Sequence, residues 1–346
     1  MQHCPNLVAL ATAVPAYPLD QEAAVERARH LFAGAADLER VLPVFANSGI
    51  RRRYASVPLD WFEAPHGWPE RNRRYLATAL DLLESATGRA LDRAGIAAAE
   101  IGAIVVVSTT GIATPSLDAL LIERMRLAPT VQRLPIFGLG CAGGVIGLAR
   151  AATIAASMPD KAVLLLVVEL CSLTFRRGDP AKSNMVAAAL FGDGAAAAVL
   201  RCGGKGPAVI ASGEHTWPQT LDIMGWEVAE DGLKPVFSRD IPRLVGDRLG
   251  VVARDFLGRH GLTTGDIDRF VCHPGGPKVI DALEDAFGLG RGVLSDARTV
   301  LREYGNMSAA SVLFVLERAV ESQWDRALVT ALGPGFTAGF AVLSRG

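Results

Sequence analysis

Apolar and polar positions along the 346-residue chain alternate in blocks that read in turn as strands and helices. The β-branched run Ile101–Ser108 and the run Ala162–Glu169 have no polar interruption, which marks strands buried on both faces. Leu134–Phe137 reads as the end of another buried strand, and the Ala/Val/Ile/Leu segment after it, up to Ala152, as a buried helix. Leu76, Leu80, Leu83 and Leu91 recur at helical spacing, predicting a helix over Asn72–Ala94 with Gly95 as its C-cap. Ser116 is placed to cap a helix running through Leu127. Upstream lie a first strand, Leu7–Thr12, and a polar helix, Asp20–Ala33.

The second half repeats the alternation. Pro242 sits at the first turn of a helix reaching about His260. A strand, Asp268–Cys272, then runs into a helix over Pro277–Phe287. Two stretches of the first half return in weak echo. Gly140–Ala151 resembles Gly305–Ala319, each a small-residue turn opening an apolar helix. Phe191–Leu200 resembles Gly333–Leu343, each a glycine turn followed by a strand. The expectation is a layered α/β fold of two duplicated halves, 1–204 and 205–346, joined near Arg201–Pro207.

Composition narrows the function classes. A net charge of -1 gives no electrostatic basis for binding nucleic acid. The five cysteines are scattered and odd in number, which argues against a disulfide framework or a zinc site. The first residues lack a basic segment followed by an apolar core, and no apolar run approaches the ~20 residues of a membrane span, so a cytoplasmic protein is expected. The run Arg51, Arg52, Arg53 reads as a solvated turn, or alternatively as a contact for a phosphate-bearing group.

Candidate chemistry gathers where strands end. Cys141 lies at a strand-to-helix turn, where unpaired backbone N–H groups and the helix dipole favour a thiolate. Gly138, Gly140, Gly143 and Gly144 leave room for a substrate to approach the sulfur. A plain buried core cysteine is the competing reading. A dinucleotide site is another, because Gly138, Gly140 and Gly143 spell G-x-G-x-x-G. Glu169, however, falls later than the usual ~20 residues beyond that motif. Among six histidines, His273 alone ends an apolar strand and is followed by Pro274, Gly275 and Gly276. Asn306 precedes a helix, where an N-cap asparagine is the ordinary explanation. A cysteine, a histidine and an asparagine in that order, distant in sequence, form a known nucleophile arrangement.

Seven motifs strengthen this reading. They are STTGIATPS (Ser108–Ser116), GCAGG (Gly140–Gly144), ELCSLTF (Glu169–Phe175), LFGDGAA (Leu190–Ala196), HPGGP (His273–Pro277), YGNMSAAS (Tyr304–Ser311) and GPGFTAG (Gly333–Gly339). Together they resemble the type III polyketide synthases of the chalcone synthase superfamily, bacterial type, whose fold is the αβαβα layering of thiolases. The dinucleotide reading explains only one of the seven. The resemblance implies that Cys141 accepts the acyl group, that His273 stabilises its thiolate, and that His273 with Asn306 bonds the malonyl thioester oxygen. It implies acyl-CoA and malonyl-CoA as substrates, no cofactor, and a homodimer. Phe191 corresponds to a pocket phenylalanine, and Glu169, Cys171, Thr174, Thr109, Thr110, Gly225 and Ser308 to cavity-lining positions.

The chain departs from the plant pattern at several points. Cys171 replaces a threonine, and Thr114 replaces the methionine that crosses the dimer interface. The second gate phenylalanine has no clear match, since the segment GLKPVF offers Pro235 or Val236. Of the basic CoA-binding cluster, only Arg40 and, less closely, Lys278 correspond. These changes leave condensation intact and weigh against a coumaroyl starter; the resemblance to the bacterial type implies an acyl-CoA starter such as a fatty one, with an alkylpyrone or alkylresorcinol as product. The alternatives are a ketoacyl-ACP synthase III, whose histidine motif usually continues Gln-Ala-Asn, and a catalytically dead scaffold, against which the three retained residues speak.

Overall fold

The computed structural model describes residues 4–32, 38–179 and 181–346, without the side chains of residues 40 and 41. Thirteen strands occur among them: β1 (Pro5–Ala13), β2 (Tyr17–Asp20), β3 (Arg52–Ala55), β4 (Ile101–Val107), β5 (Gln132–Ile136), β6 (Ala162–Leu170), β7 (Asp193–Cys202), β8 (Ala208–Thr216), β9 (Met224–Ala229), β10 (Gly232–Phe237), β11 (Arg269–Cys272), β12 (Arg326–Gly333) and β13 (Thr337–Ser344). Nine form a continuous sheet in the order β11-β12-β13-β8-β1-β7-β6-β4-β5. A single residue pair, Asn6 with Ala208, joins β1 to β8.

The two sides of that seam are built alike. Along β4-β6-β7-β1 the pairings run parallel, antiparallel, antiparallel. Along β11-β12-β13-β8 they run in the same sequence. The helix before β6, Gly143–Ser157, corresponds to the helix before β12, Ser311–Val320. The sequence echo of Gly140–Ala151 in Gly305–Ala319 is therefore a structural correspondence.

Helix Gly143–Ser157 packs on β4 and β6 of one half and on β12 and β13 of the other, so it belongs to a central layer. Alternate residues of the flanking strands divide between two cores. Val105, Leu165 and Ala198 face the central helices, whereas Ile104, Leu164 and Ala197 face the outer helix Trp68–Ala94. On the opposite outer side, Phe256 of helix Gly250–Arg259 stacks on Phe340 of β13. The layers thus run helix, sheet, helix, sheet, helix, as expected. One stretch among the described residues, Gly140–Ser157, is long and apolar enough to cross a membrane. It is 72% buried, as the central core helix of this fold.

Element boundaries follow the local signals closely. Gly95 ends Trp68–Ala94 in the left-handed conformation, at φ 62°. Ser116 precedes Leu117–Arg124, and Pro277–Phe287 forms as predicted. The sequence reading did not anticipate the antiparallel hairpin of β9 and β10.

Candidate active site

Cys141 lies in a tight turn, Gly140–Ala142, that leads into the central helix. Gly144 in that helix's first turn lets the other half approach, because a Cβ there would lie 2.3 Å from the Ala309 carbonyl oxygen. The two equivalent helix N-termini thereby meet back to back, bringing Cys141 beside the turn that holds Asn306. The Cys141 Sγ lies 3.6 Å from the Ser308 Oγ. Low-dielectric surroundings push the thiol up to about 12, with the Ser308 hydrogen bond acting in the opposite direction.

His273 follows β11 and is fixed through its backbone, its N–H donating to the Thr330 carbonyl at 2.9 Å. Its ring is 5% exposed, and neither ring nitrogen has a protein partner. Burial lowers it to about 3, so the free imidazole is neutral. The geometry therefore pairs the sulfur with Ser308, not with His273, and leaves both imidazole nitrogens available.

Asn306 is oriented at both ends of its carboxamide. Its Oδ1 accepts from the Ser308 N–H at 2.8 Å, and its Nδ2 donates to the Gly275 carbonyl at 3.3 Å. One N–H of the amide is thus left for another acceptor. Cys141, His273, Asn306 and Phe191 all line one cavity of about 450 Å³, with Lys278 among its other lining residues.

The other residues expected to line the cavity, Thr109, Thr110, Glu169, Cys171, Thr174 and Ser308, are not on its walls and lie behind it. Glu169 is fully buried, and one carboxyl oxygen accepts from the Thr109 N–H at 3.0 Å and the Thr110 hydroxyl at 2.9 Å. Its other oxygen has no partner, and burial raises the group to about 8. Thr109 also accepts from the Gly140 N–H, tying Glu169 to the nucleophile turn. Cys171 is buried, its thiol pushed well up by burial, and the Thr174 hydroxyl donates to its carbonyl at 2.7 Å.

A second, smaller apolar chamber of about 70 Å³ lies behind Cys171 and Thr174, lined also by Phe32, Phe62 and Phe175. Ala187 and Phe191 line both chambers. Their shared wall is aromatic: Phe191 meets Phe237 edge to face at 5.6 Å and lies 5.9 Å from Trp226.

Three expectations change. Gly225 does not line the cavity; it pairs with Val236 in the hairpin, and its neighbour Trp226 reaches Phe191 instead. The second aromatic of the wall is Phe237, not Pro235 or Val236. Thr114 is exposed and lines neither chamber within the single chain. The basic run is spent on structure: Arg51 pairs with Glu303, Arg52 with Asp20, and Arg53 is buried. The side chain of Arg40 lies outside the described residues. At the cavity rim, Lys278 is joined by Arg239, which the sequence reading had missed because nothing in its neighbourhood forms a motif.

Comparison with known proteins agrees with this architecture. The family model for the N-terminal domain of chalcone and stilbene synthases matches residues 4–204, and that for the C-terminal domain matches 209–344. A 1,3,6,8-tetrahydroxynaphthalene synthase of Streptomyces peucetius subsp. caesius is 40% identical over 98% of this chain and 92% of its own. A putative chalcone synthase of Bacillus subtilis is 38% identical over 98% of both chains. The crystal structure of 1,3,6,8-tetrahydroxynaphthalene synthase from Streptomyces coelicolor, a bacterial type III polyketide synthase, superposes with a TM-score of 0.92 at 30% identity, covering 98% of this chain and 99% of that one. A fold shared along its whole length, with both domain models matched, makes this chain a member of the chalcone and stilbene synthase family, an acyltransferase of the type III polyketide synthase kind.

Proposed function

We propose that the enzyme loads a fatty acyl group from its CoA thioester onto Cys141 and extends it with malonyl-CoA. The observation that carries this reading is a thiol, an unpartnered imidazole and a half-used carboxamide on the walls of one cavity. In the loading step the Cys141 sulfur forms a bond to the acyl carbonyl carbon. Its proton passes to the neutral His273 ring and from there to the departing CoA sulfur. No ion pair need exist beforehand, since burial disfavours both charged forms.

In the extension step the carboxylate–carbon bond of malonyl-CoA breaks, and its electron pair passes into an enolate as carbon dioxide leaves. Donors from His273 and Asn306 meet the charge growing on the thioester oxygen. The carbanion then attacks the acyl-Cys141 carbonyl, and the Cys141 thiolate departs. No carboxylate base is required, and a neutral asparagine avoids repelling the enolate. No cofactor enters either step.

The apolar chamber behind Cys171 supports a fatty starter, because it adjoins the cavity across Ala187 and Phe191. Ring closure of the extended chain would give an alkylpyrone or alkylresorcinol. Lys278 and Arg239, both exposed at the rim, suit the CoA phosphates. A homodimer is supported by β5, which is the open edge of the sheet and is flanked by exposed Phe137 and Ile112. A second reading, malonyl-CoA as its own starter giving a naphthalene, is favoured by the name of the Streptomyces peucetius relative.

Purified protein is to be incubated with malonyl-CoA alone and with a panel of acyl-CoAs from acetyl to palmitoyl. Carbon dioxide release and product masses are then read. Products carrying the long acyl chain are expected. A product from malonyl-CoA alone that no acyl-CoA alters would replace the first reading with the second, and absence of all turnover would remove both.

A further inference from the structure

Arg53 and Asp193 are two buried charged residues close to the site for which the chemistry above has no use. Arg53 projects from β3 and is 3% exposed, and Asp193, at the start of β7, is fully buried. Buried charges are retained only when held by partners. Those of Asp193 are four: the N–H and hydroxyl of Ser56 and the N–H and hydroxyl of Ser172. Ser172 and Cys171 before it line the smaller chamber, so this carboxylate ties β3 to one wall of that chamber.

Arg53 ties down the opposite wall. Its Nη1 donates to the Phe191 carbonyl at 3.1 Å. Its aliphatic stem fills a slot that exists because two neighbours are glycines: a Cβ on Gly192 or on Gly305 would lie 3.3 Å from the Arg53 Cβ. Those glycines adjoin Phe191 and Asn306. The same two strands of chain are bonded to each other, with the Asn306 N–H donating to the Leu190 carbonyl at 2.8 Å and the Gly192 N–H to the Asn306 carbonyl at 3.0 Å. Burial pushes the guanidinium down to about 10, with attraction to Asp193 acting in the opposite direction, and its Nε has no partner.

We propose that Arg53 is a positioning residue for decarboxylation: clamped between the Phe191 and Asn306 turns, it sets the direction of the Asn306 carboxamide. Arg53 does not line the cavity that holds Cys141; it lines the smaller chamber behind Cys171, so its effect on Asn306 runs through the backbone on either side and is read with a starter too short to fill that chamber. Loading of Cys141 depends on different supports, the Thr109 bond to Gly140 and the packed N-terminus of the central helix. The inference rests on the role given to Asn306 above.

The test separates the two half-reactions in Arg53→Met and Arg53→Lys. Cys141 loading by acetyl-CoA, whose acyl group is too short to fill the chamber that Arg53 lines, is followed by intact mass, carbon dioxide release from malonyl-CoA is measured in the same preparations, and folding is checked by thermal melting. Arg53→Met is expected to load within about twofold of the native rate while decarboxylation falls at least about tenfold. Arg53→Lys, which keeps the charge without the fork, is expected to lose decarboxylation by a smaller factor, with loading again unchanged. Parallel loss of both activities in Arg53→Lys, or undiminished decarboxylation in either folded variant, overturns the proposal. Native enzyme that loads but releases no carbon dioxide overturns the role of Asn306, and this proposal with it.

Discussion

The Cys141 sulfur hydrogen-bonds with Ser308, the residue whose own N–H fixes the Asn306 carboxamide. Ser308 can do both because its backbone takes the left-handed conformation, at φ 48°, which turns its N–H back toward Asn306. The nucleophile and the amide are therefore coupled through one small residue. Ser308→Ala removes the interaction that lowers the thiol's pKa. Alkylation of Cys141 by iodoacetamide at mildly alkaline pH is expected to slow by about threefold. A native rate in the variant would show that the hydroxyl does not act on the sulfur.

Glu169 makes the enzyme sensitive to alkali. Its ordinary value of 4.5 rises to about 8 in the fold, so the protonated form is the one the folded state favours. The contribution of this group to stability is complete below about 4.5 and is lost as pH rises through about 8. Melting temperature is expected to fall as pH rises from about 4.5 to about 8 and to level off above that, and to fall less in Glu169→Gln. An equal decline in both proteins would place the sensitivity elsewhere.

The imidazole should leave no acid limb at its ordinary position. Burial holds His273 near 3, so single-turnover carbon dioxide release is expected to stay level through the usual histidine range around 6.5. A limb near that value, removed in His273→Gln, would mean that the charged ring matters.

Ala187 separates the two chambers and is 5% exposed. Ala187→Leu is expected to overfill this wall at a cost of about 1–3 kcal/mol in stability. It should depress kcat/KM for lauroyl-CoA about tenfold more than for acetyl-CoA, as closure of a hydrophobic pocket to several methylenes would. Equal losses for both starters would show that the acyl chain lies elsewhere.

Phe137 is 62% exposed beside the edge strand β5. Phe137→Glu should convert a dimeric light-scattering mass into a monomeric one, since an isologous contact places the charge against its own symmetry mate. A native protein that is already monomeric would dispose of the proposed dimer.

Sequence periodicity captured what depends on local order. The strand–turn–helix around Cys141, the strand ending at His273 and the left-handed stop at Gly95 all have local causes in small residues and apolar runs. What escaped depends on pairing register. In the β9–β10 hairpin Gly225 faces Val236 and Trp226 faces Pro235, and a slip of one residue exchanges the faces. Gly225 was expected in the wall by its match to the family's cavity-lining position, and in this register its neighbour Trp226 is the residue that reaches Phe191. Arg53 escaped for a different reason: three consecutive arginines look alike in sequence, and only the packing of Gly192 and Gly305 selects one of them for burial.

The missing side chain at Gly144 has one more effect. With main chain pressed against main chain at the midline, 2.3 Å from a would-be Cβ to the Ala309 oxygen, the spacing of sulfur and carboxamide is set as by a machinist's jig. The aromatic panels around it, Phe191, Trp226 and Phe237, hang on separate strands and turns and can be exchanged singly. Such a build lets the catalogue of products be rewritten while the bond-making step keeps its tooling.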